Sequence, residues 1–196
     1  MKKLLLLVMQ TKSYSWLLAK IIPFIRWSMY YTSFKGSEYH KAYELLQPGD
    51  YLVSIDNKKL TTLLIGGEWT HAAMCVSKDK QFEVAEMTHK GFTKSTLFDF
   101  CKESDRIAIY RCNDFDADYT SLVVEVCKSF EGVSYDDQFA IGVKALYCSE
   151  LVYMSDFEGR LKVSLEDLAG LGRPYISPTG LAKASNAVCI YDSLIK

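Results

Sequence analysis

Two strand-length runs, His71-Ala72-Ala73-Met74-Cys75-Val76 and Gln81-Phe82-Glu83-Val84-Ala85-Glu86-Met87, are separated only by Ser77-Lys78-Asp79-Lys80. A polar connection this short joins two strands as a hairpin and leaves room for little else. The hairpin restricts the fold more than any other feature. One of its strands opens on a histidine, and the other carries two carboxylates. Glu83 and Glu86 stand three apart, so strand alternation turns them to opposite sides of the sheet. Only one of them can meet His71, and the other belongs in solvent.

Further elements surround the hairpin. Pro48-Gly49-Asp50 is a turn launching a strand over 51–55, 106–111 alternates as a strand, and 187–191 is a last one. The spacing predicts helices over 39–46, 94–104 and 116–130, the last through Leu122, Val126, Cys127 and Phe130. Asp56-Asn57-Lys58-Lys59 is a turn, 60–65 an apolar helix or strand, and Gly66-Gly67 a break. Beyond Glu158 the chain is loop-rich, with Pro174 and Pro178. Strands gathered among helices without βαβ alternation indicate the α+β class, a small antiparallel sheet packed against helices.

Tyr147-Cys148-Ser149-Glu150-Leu151-Val152-Tyr153 places a thiol where an apolar approach breaks into a helix-forming segment. A helix N-terminus favours thiolate over thiol. Thiolate, base and orienter together make a nucleophile. An intracellular cysteine is by default a small buried hydrophobe. What distinguishes Cys148 is its polar neighbours Ser149 and Glu150, typical of a first helical turn, together with the histidine at position 71. His40 on an amphipathic helix and His89 in a polar turn are less well placed to act as a base. Tyr135 and Tyr147 are candidates to line the same site.

The motifs Gln47-Pro48-Gly49-Asp50-Tyr51-Leu52, Trp69-Thr70-His71, Val84-Ala85-Glu86 and Leu146-Tyr147-Cys148-Ser149-Glu150-Leu151 occur in that order, with Gly132 and Tyr135-Asp136 ahead of the last. Together they resemble the circularly permuted papain-like hydrolases, the YiiX/YaeF-like branch of the NlpC-type superfamily, which also includes lecithin–retinol acyltransferase. The resemblance runs from about residue 45 to 190. It implies a permuted papain-like fold, with Cys148 as nucleophile, His71 as base and, by register with the family's second-strand motif, Glu86 as orienter. It implies a thiol hydrolase of amides, peptides or acyl esters working through a thioester. The alternatives are a lipid acyltransferase or phospholipase at a membrane surface, or a non-catalytic binding module retaining the fold. The superfamily's substrates include peptidoglycan stem peptides and fatty acyl groups, and the fold does not choose among them.

Composition excludes several other classes. The net charge of -1 and the absence of a basic cluster outside the N-terminus give no footprint for nucleic acid. None of the six cysteines forms a C-x-x-C pair. They sit in apolar runs, so buried reduced thiols are expected rather than disulfides. His71 and Cys75 share a strand face, but no further ligands stand at a recognised metal spacing, and no phosphate-cradling loop is present. Neither a metal nor a cofactor is expected, and the partner is a small-molecule, peptide or lipid acyl substrate.

Residues 1–44 form a separate amphipathic helical extension ahead of a domain over 45–196. Met1-Lys2-Lys3-Leu4-Leu5-Leu6-Leu7 imitates a signal peptide, but the apolar run is short and no small-residue cleavage site follows. Lys20, Pro23 and Arg26 interrupt any membrane span. Leu18, Ile21, Ile22 and Ile25 recur at helical spacing, in a helix bent or restarted at Pro23. Such a face packs on its own domain, the favoured reading, or lies on a membrane surface. The expected location is cytoplasmic, with membrane association as the variant.

Overall fold

The computed structural model describes residues 11–22, 34, 36–57, 67–79, 81–142, 144–168 and 172–194. The expected bend at Pro23 and the apolar segment 60–65 lie outside these residues. In chain order the elements are α1 (Lys12–Lys20), α2 (Gly36–Leu45), β1 (Tyr51–Ile55), β2 (His71–Lys78), β3 (Phe82–Thr88), β4 (Gly91–Thr96), α3 (Leu97–Lys102), β5 (Arg106–Cys112), α4 (Ala117–Ser129), β6 (Ser134–Tyr135), β7 (Ala145–Leu146), α5 (Cys148–Ser155), β8 (Glu166–Asp167), β9 (Pro174–Tyr175), α6 (Pro178–Ala182) and β10 (Ala187–Asp192).

Six strands form one sheet in the order β10-β5-β1-β2-β3-β4, every neighbour antiparallel. The fold is α+β, as the residue pattern predicts. Both faces of the sheet are covered, so its central strands are almost wholly buried rather than alternating with solvent. One face (Tyr51, Val53, Ala72, Met74, Ala85, Met87, Ala108) packs against Tyr119 and Val123 of α4 and Leu151 and Val152 of α5. The other (Leu52, Ala73, Cys75, Phe82, Val84, Ile107, Ile109) packs against Ala42 of α2 and Leu97, Phe100 and Cys101 of α3. Full burial of Leu151 and Val152 alone is worth about 1.5–3 kcal/mol each.

One predicted element needs correction. Residues 94–104 are not one helix. Residues 91–96 form the edge strand β4, and Thr96 caps a shorter helix by accepting the Asp99 N–H at 3.0 Å. Thr93, Ser95 and Thr96 suit an edge strand and a cap better than a helix interior. Gly91 opens that strand at φ +91°, and a Cβ there would lie 2.5 Å from the Val133 carbonyl oxygen, which accepts the neighbouring Phe92 N–H. Only glycine fits a backbone approach this close. It brings the loop ahead of β6 against the hairpin.

Candidate active site

α5 begins abruptly because its first turn is clamped on three sides. Tyr147 is the extended N-cap, and Glu150 accepts its N–H at 3.4 Å and that of Gly142 at 2.7 Å. Ser149 Oγ donates to the Ile176 carbonyl at 2.7 Å, while the Ile176 N–H donates to Tyr147 Oη at 2.9 Å. Glu150 is completely buried, and burial pushes its carboxyl up to about 7 although both backbone bonds oppose the rise. These bonds hold the helix start, and Cys148 with it, as a fixed point.

His71 is the first residue of β2 and faces Ser54 of β1. The segment leading to it is anchored from both sides. Trp69 N–H donates to Thr179 Oγ1 at 3.0 Å, and the Arg106 guanidinium lies 4.2 Å above the Trp69 ring. Arg106 is itself held by Asp192 at 2.5 Å and Glu68 at 2.7 Å. The His71 ring stacks on Phe100, centroids 5.9 Å apart.

The β2–β3 register pairs Ala73 with Glu86, which puts Glu86 on the face His71 shares with Ala73. His71 Nε2 meets Glu86 Oε2 at 2.7 Å, and Ser95 Oγ of β4 donates to Glu86 Oε1 at 2.6 Å. Glu83 is exposed on the opposite face. Cys148 arrives from the helix over that opposite face and reaches the imidazole past the Ala72 N–H, just beyond the last paired residues of the β2–β3 ladder. With Nε2 taken by Glu86, Nδ1 is the nitrogen left for the thiol.

Charge follows from this placement. Burial would raise the Cys148 pKa, but the hydrogen bond and charge of His71, with the N–H groups of Ala72 and Ser149, bring it below its ordinary value. Burial would lower His71, but its bonds to Cys148 and Glu86 lift it to about 10. Both shifts favour the thiolate–imidazolium form of the pair. The thiol is 3% exposed and the imidazole 31%, so the site opens on the histidine side.

The two tyrosines separate. Tyr135 on β6 lies near the thiol. Its phenol is held well above its usual range by burial first and then by the charges of Cys148, Asp136 and Asp137. Tyr147, expected to line the site, is 1% exposed, and its hydroxyl is used by Ile176, so it supports the helix start. Its ring packs against Phe139 and Tyr175, centroids 5.4 and 6.3 Å away. Sequence reasoning missed Ser95, because its segment read as helix, and it missed Thr179 and Ile176, which lie far along the chain. Phe139 at φ +53° is a non-glycine in the left-handed region beside Tyr135 and Tyr147, and no sequence signal marked it.

The comparisons bear on the fold and the family. A crystal structure of metalloprotein yiiX from Escherichia coli O157:H7 (DUF1105) superposes with a TM-score of 0.64 at 17% identity, covering 75% of this chain and 97% of that one. At that identity the likeness speaks for the fold alone. No curated protein matches the sequence. Residues 45–188 match the model of the permuted papain-like amidase enzymes, YaeF/YiiX, C92 family. With most of its length inside that match and a papain-like sheet and helices, this chain belongs to the permuted papain-like amidase family, a family of cysteine hydrolases.

Proposed function

We propose that this chain cleaves an amide or ester acyl bond through a Cys148–His71–Glu86 triad and a thioester acyl-enzyme. The observation that carries the reading is the continuous chain from Cys148 through the imidazole to Glu86 Oε2 at 2.7 Å, continued to Ser95. The Cys148 thiolate attacks the acyl carbon, and the carbonyl π electrons move to oxygen. The backbone N–H of Cys148, free of an intrahelical partner at the first turn, donates to that oxyanion. The Tyr135 hydroxyl, close enough to the thiol to feel its charge, is a side-chain candidate for a second donor. The tetrahedral species collapses as His71 passes its proton from imidazolium to the leaving amine or alcohol, and Cys148 keeps the acyl group as thioester. A water then gives its proton to neutral His71 and attacks the thioester, releasing the acid and restoring the ion pair. Glu86 holds the ring and stabilises its positive form throughout.

The related crystal structure is that of a metalloprotein. Among the described residues of this chain no group of three His, Cys, Asp or Glu side chains is arranged to hold an ion, and no step here is routed through one. The acyl donor is a small molecule, peptide or lipid, not nucleic acid, and replacement of water by an acceptor alcohol or amine would turn the same cycle into acyl transfer. Incubation of the protein with acyl amide and ester libraries, followed by intact-mass and peptide mapping, tests the proposal. The expected result is an acyl adduct on Cys148 that accumulates at short times and is absent in His71→Ala. Turnover without any adduct on Cys148, or unchanged turnover in Cys148→Ala, would overturn it.

A further inference from the structure

Helix α1 turns two adjacent rows of side chains to solvent. Lys12, Trp16 and Lys20 follow one another at i,i+4 spacing, and Ser13, Leu17 and Ile21 form the neighbouring row. Trp16 is 57%, Leu17 39% and Ile21 37% exposed, with Lys12, Ser13 and Lys20 exposed beside them. The inward side carries half-buried Tyr14 and Ser15 and, just past the helix end, buried Ile22. Single exposed hydrophobics are ordinary, whereas three on one face edged by two lysines form a patch.

Charge is divided along the chain in the same sense. Of its 23 basic and 24 acidic side chains, six basic and no acidic ones lie in residues 1–37. The rest of the chain is left with 17 basic against 24 acidic, a net charge of -7. An anionic surface therefore attracts the N-terminal stretch of the chain, Lys12 and Lys20 of α1 included, and on balance repels the rest.

We propose that the exposed face of α1 is a docking surface for an anionic lipid bilayer, with the helix lying in the plane of the interface. Lys12 and Lys20 reach the phosphates, Trp16 sits at headgroup level, and Leu17 and Ile21 enter the acyl boundary. No helix among the described residues is long and apolar enough to cross a membrane. Tyr14, on the inward side, lies close enough to Asp137 to feel its charge. Asp137 belongs to the segment between Tyr135 and Cys148, so the inward side of α1 faces that segment while the opposite side stays open. The surface does not depend on the chemistry of Cys148.

The test is flotation of the full-length Cys148→Ala protein with vesicles of phosphatidylcholine, alone or with about 30% phosphatidylglycerol, at low and high salt. Each lysine near an anionic surface is worth about a fivefold gain in partitioning. The protein should float with the anionic vesicles and lose the interaction at high salt. Lys12→Glu/Lys20→Glu should weaken binding at least about tenfold, and Trp16→Ser/Leu17→Ser should weaken it on both kinds of vesicle. Equal thermal stability of these variants and the parent separates a surface effect from a folding effect. Absence of flotation at low salt, or indifference to the charge reversals, would overturn the proposal. So would concentration-dependent self-association abolished by Trp16→Ser/Leu17→Ser, which would assign the face to a second copy of the chain.

Discussion

Cys127 and Cys148 lie on α4 and α5, two helices packed against each other and against the same face of the sheet, and both thiols are buried. Their chemistry diverges. Cys127 sits in the last turn of its helix, where burial pushes the thiol up to about 11 despite a hydrogen bond to Ser155. Cys148 is the first residue of its helix, and there the same burial is overturned by an imidazole and two N–H groups. Helix ends carry opposite partial charges, negative where Cys127 stands and positive where Cys148 stands. Burial alone therefore pushes a thiol up, whereas an imidazole partner and N–H donors, one of them in the first turn of a helix, bring it back down.

The largest test of this contrast is deletion. Cys148→Ala and His71→Ala should each reduce turnover by ~10⁴-fold or more, and the double variant should be no worse than either, because the groups act as one unit. Cys127→Ala should leave turnover within about twofold and lower stability by about 1 kcal/mol. Multiplicative losses from Cys148→Ala and His71→Ala, measured as kcat/KM, would break the pairing. Glu86→Gln should cost about a hundredfold in kcat, Ser95→Ala about tenfold through loss of one bond to a charged group, and Glu83→Gln less than twofold. A larger loss at Glu83 would put the wrong strand face at the site.

Alkylation by iodoacetamide at pH 6 followed by peptide mapping sharpens the comparison without a substrate. Cys148 should react first, and Cys127, Cys75 and Cys101 last, since burial pushes all three of those thiols up. The pH profile has a defined sign. Activity should fall toward acid as Cys148 takes up a proton, and fall toward alkali as His71 loses its own near pH 10. Both limbs belong to the pair rather than to either residue. A profile centred near pH 6.5 with no alkaline shift would show that the ion pair does not form.

The smallest effect concerns the clamp under Cys148. The Glu150 carboxyl is raised from 4.5 to about 7, so the unfolded chain gives up that proton first. Its contribution to stability is whole below about 4.5 and is lost as pH rises toward 7. The melting temperature of the wild type should therefore fall across that window relative to Glu150→Gln. An identical pH dependence in the two proteins would place the strain elsewhere.

Several elements are legible from residue pattern alone. The hairpin, β1, β5, β10 and the helix carrying Cys127 are visible because their periodicity is local. So are a histidine opening one strand and a cysteine opening one helix. Glu86 needed more. Strand alternation narrows the choice to Glu83 or Glu86, while register with a known family selects Glu86. The ladder pairing Ala73 with Glu86 then puts it on the histidine's face. The edge strand β4 escaped because Thr93, Lys94, Ser95 and Thr96 carry no apolar alternation, and an edge strand takes its conformation from its neighbour's hydrogen bonds.

What the sequence by itself determined is thus the set of reactive groups and the short-range elements that carry them. Propensity and periodicity act over a few residues and reach no further. Tertiary structure alone decided that Ser95 holds Glu86 and that Ile176 and Glu150 clamp the start of α5. It also decided that Tyr135 lies within reach of the thiol's charge while Tyr147 is buried with its hydroxyl engaged. The Ser149–Ile176 and Trp69–Thr179 contacts join residues 27 and 110 positions apart. Their geometry exists only once the chain has closed those loops, because a hydrogen bond is set by position within a few tenths of an ångström and local preference carries no such long-range distance.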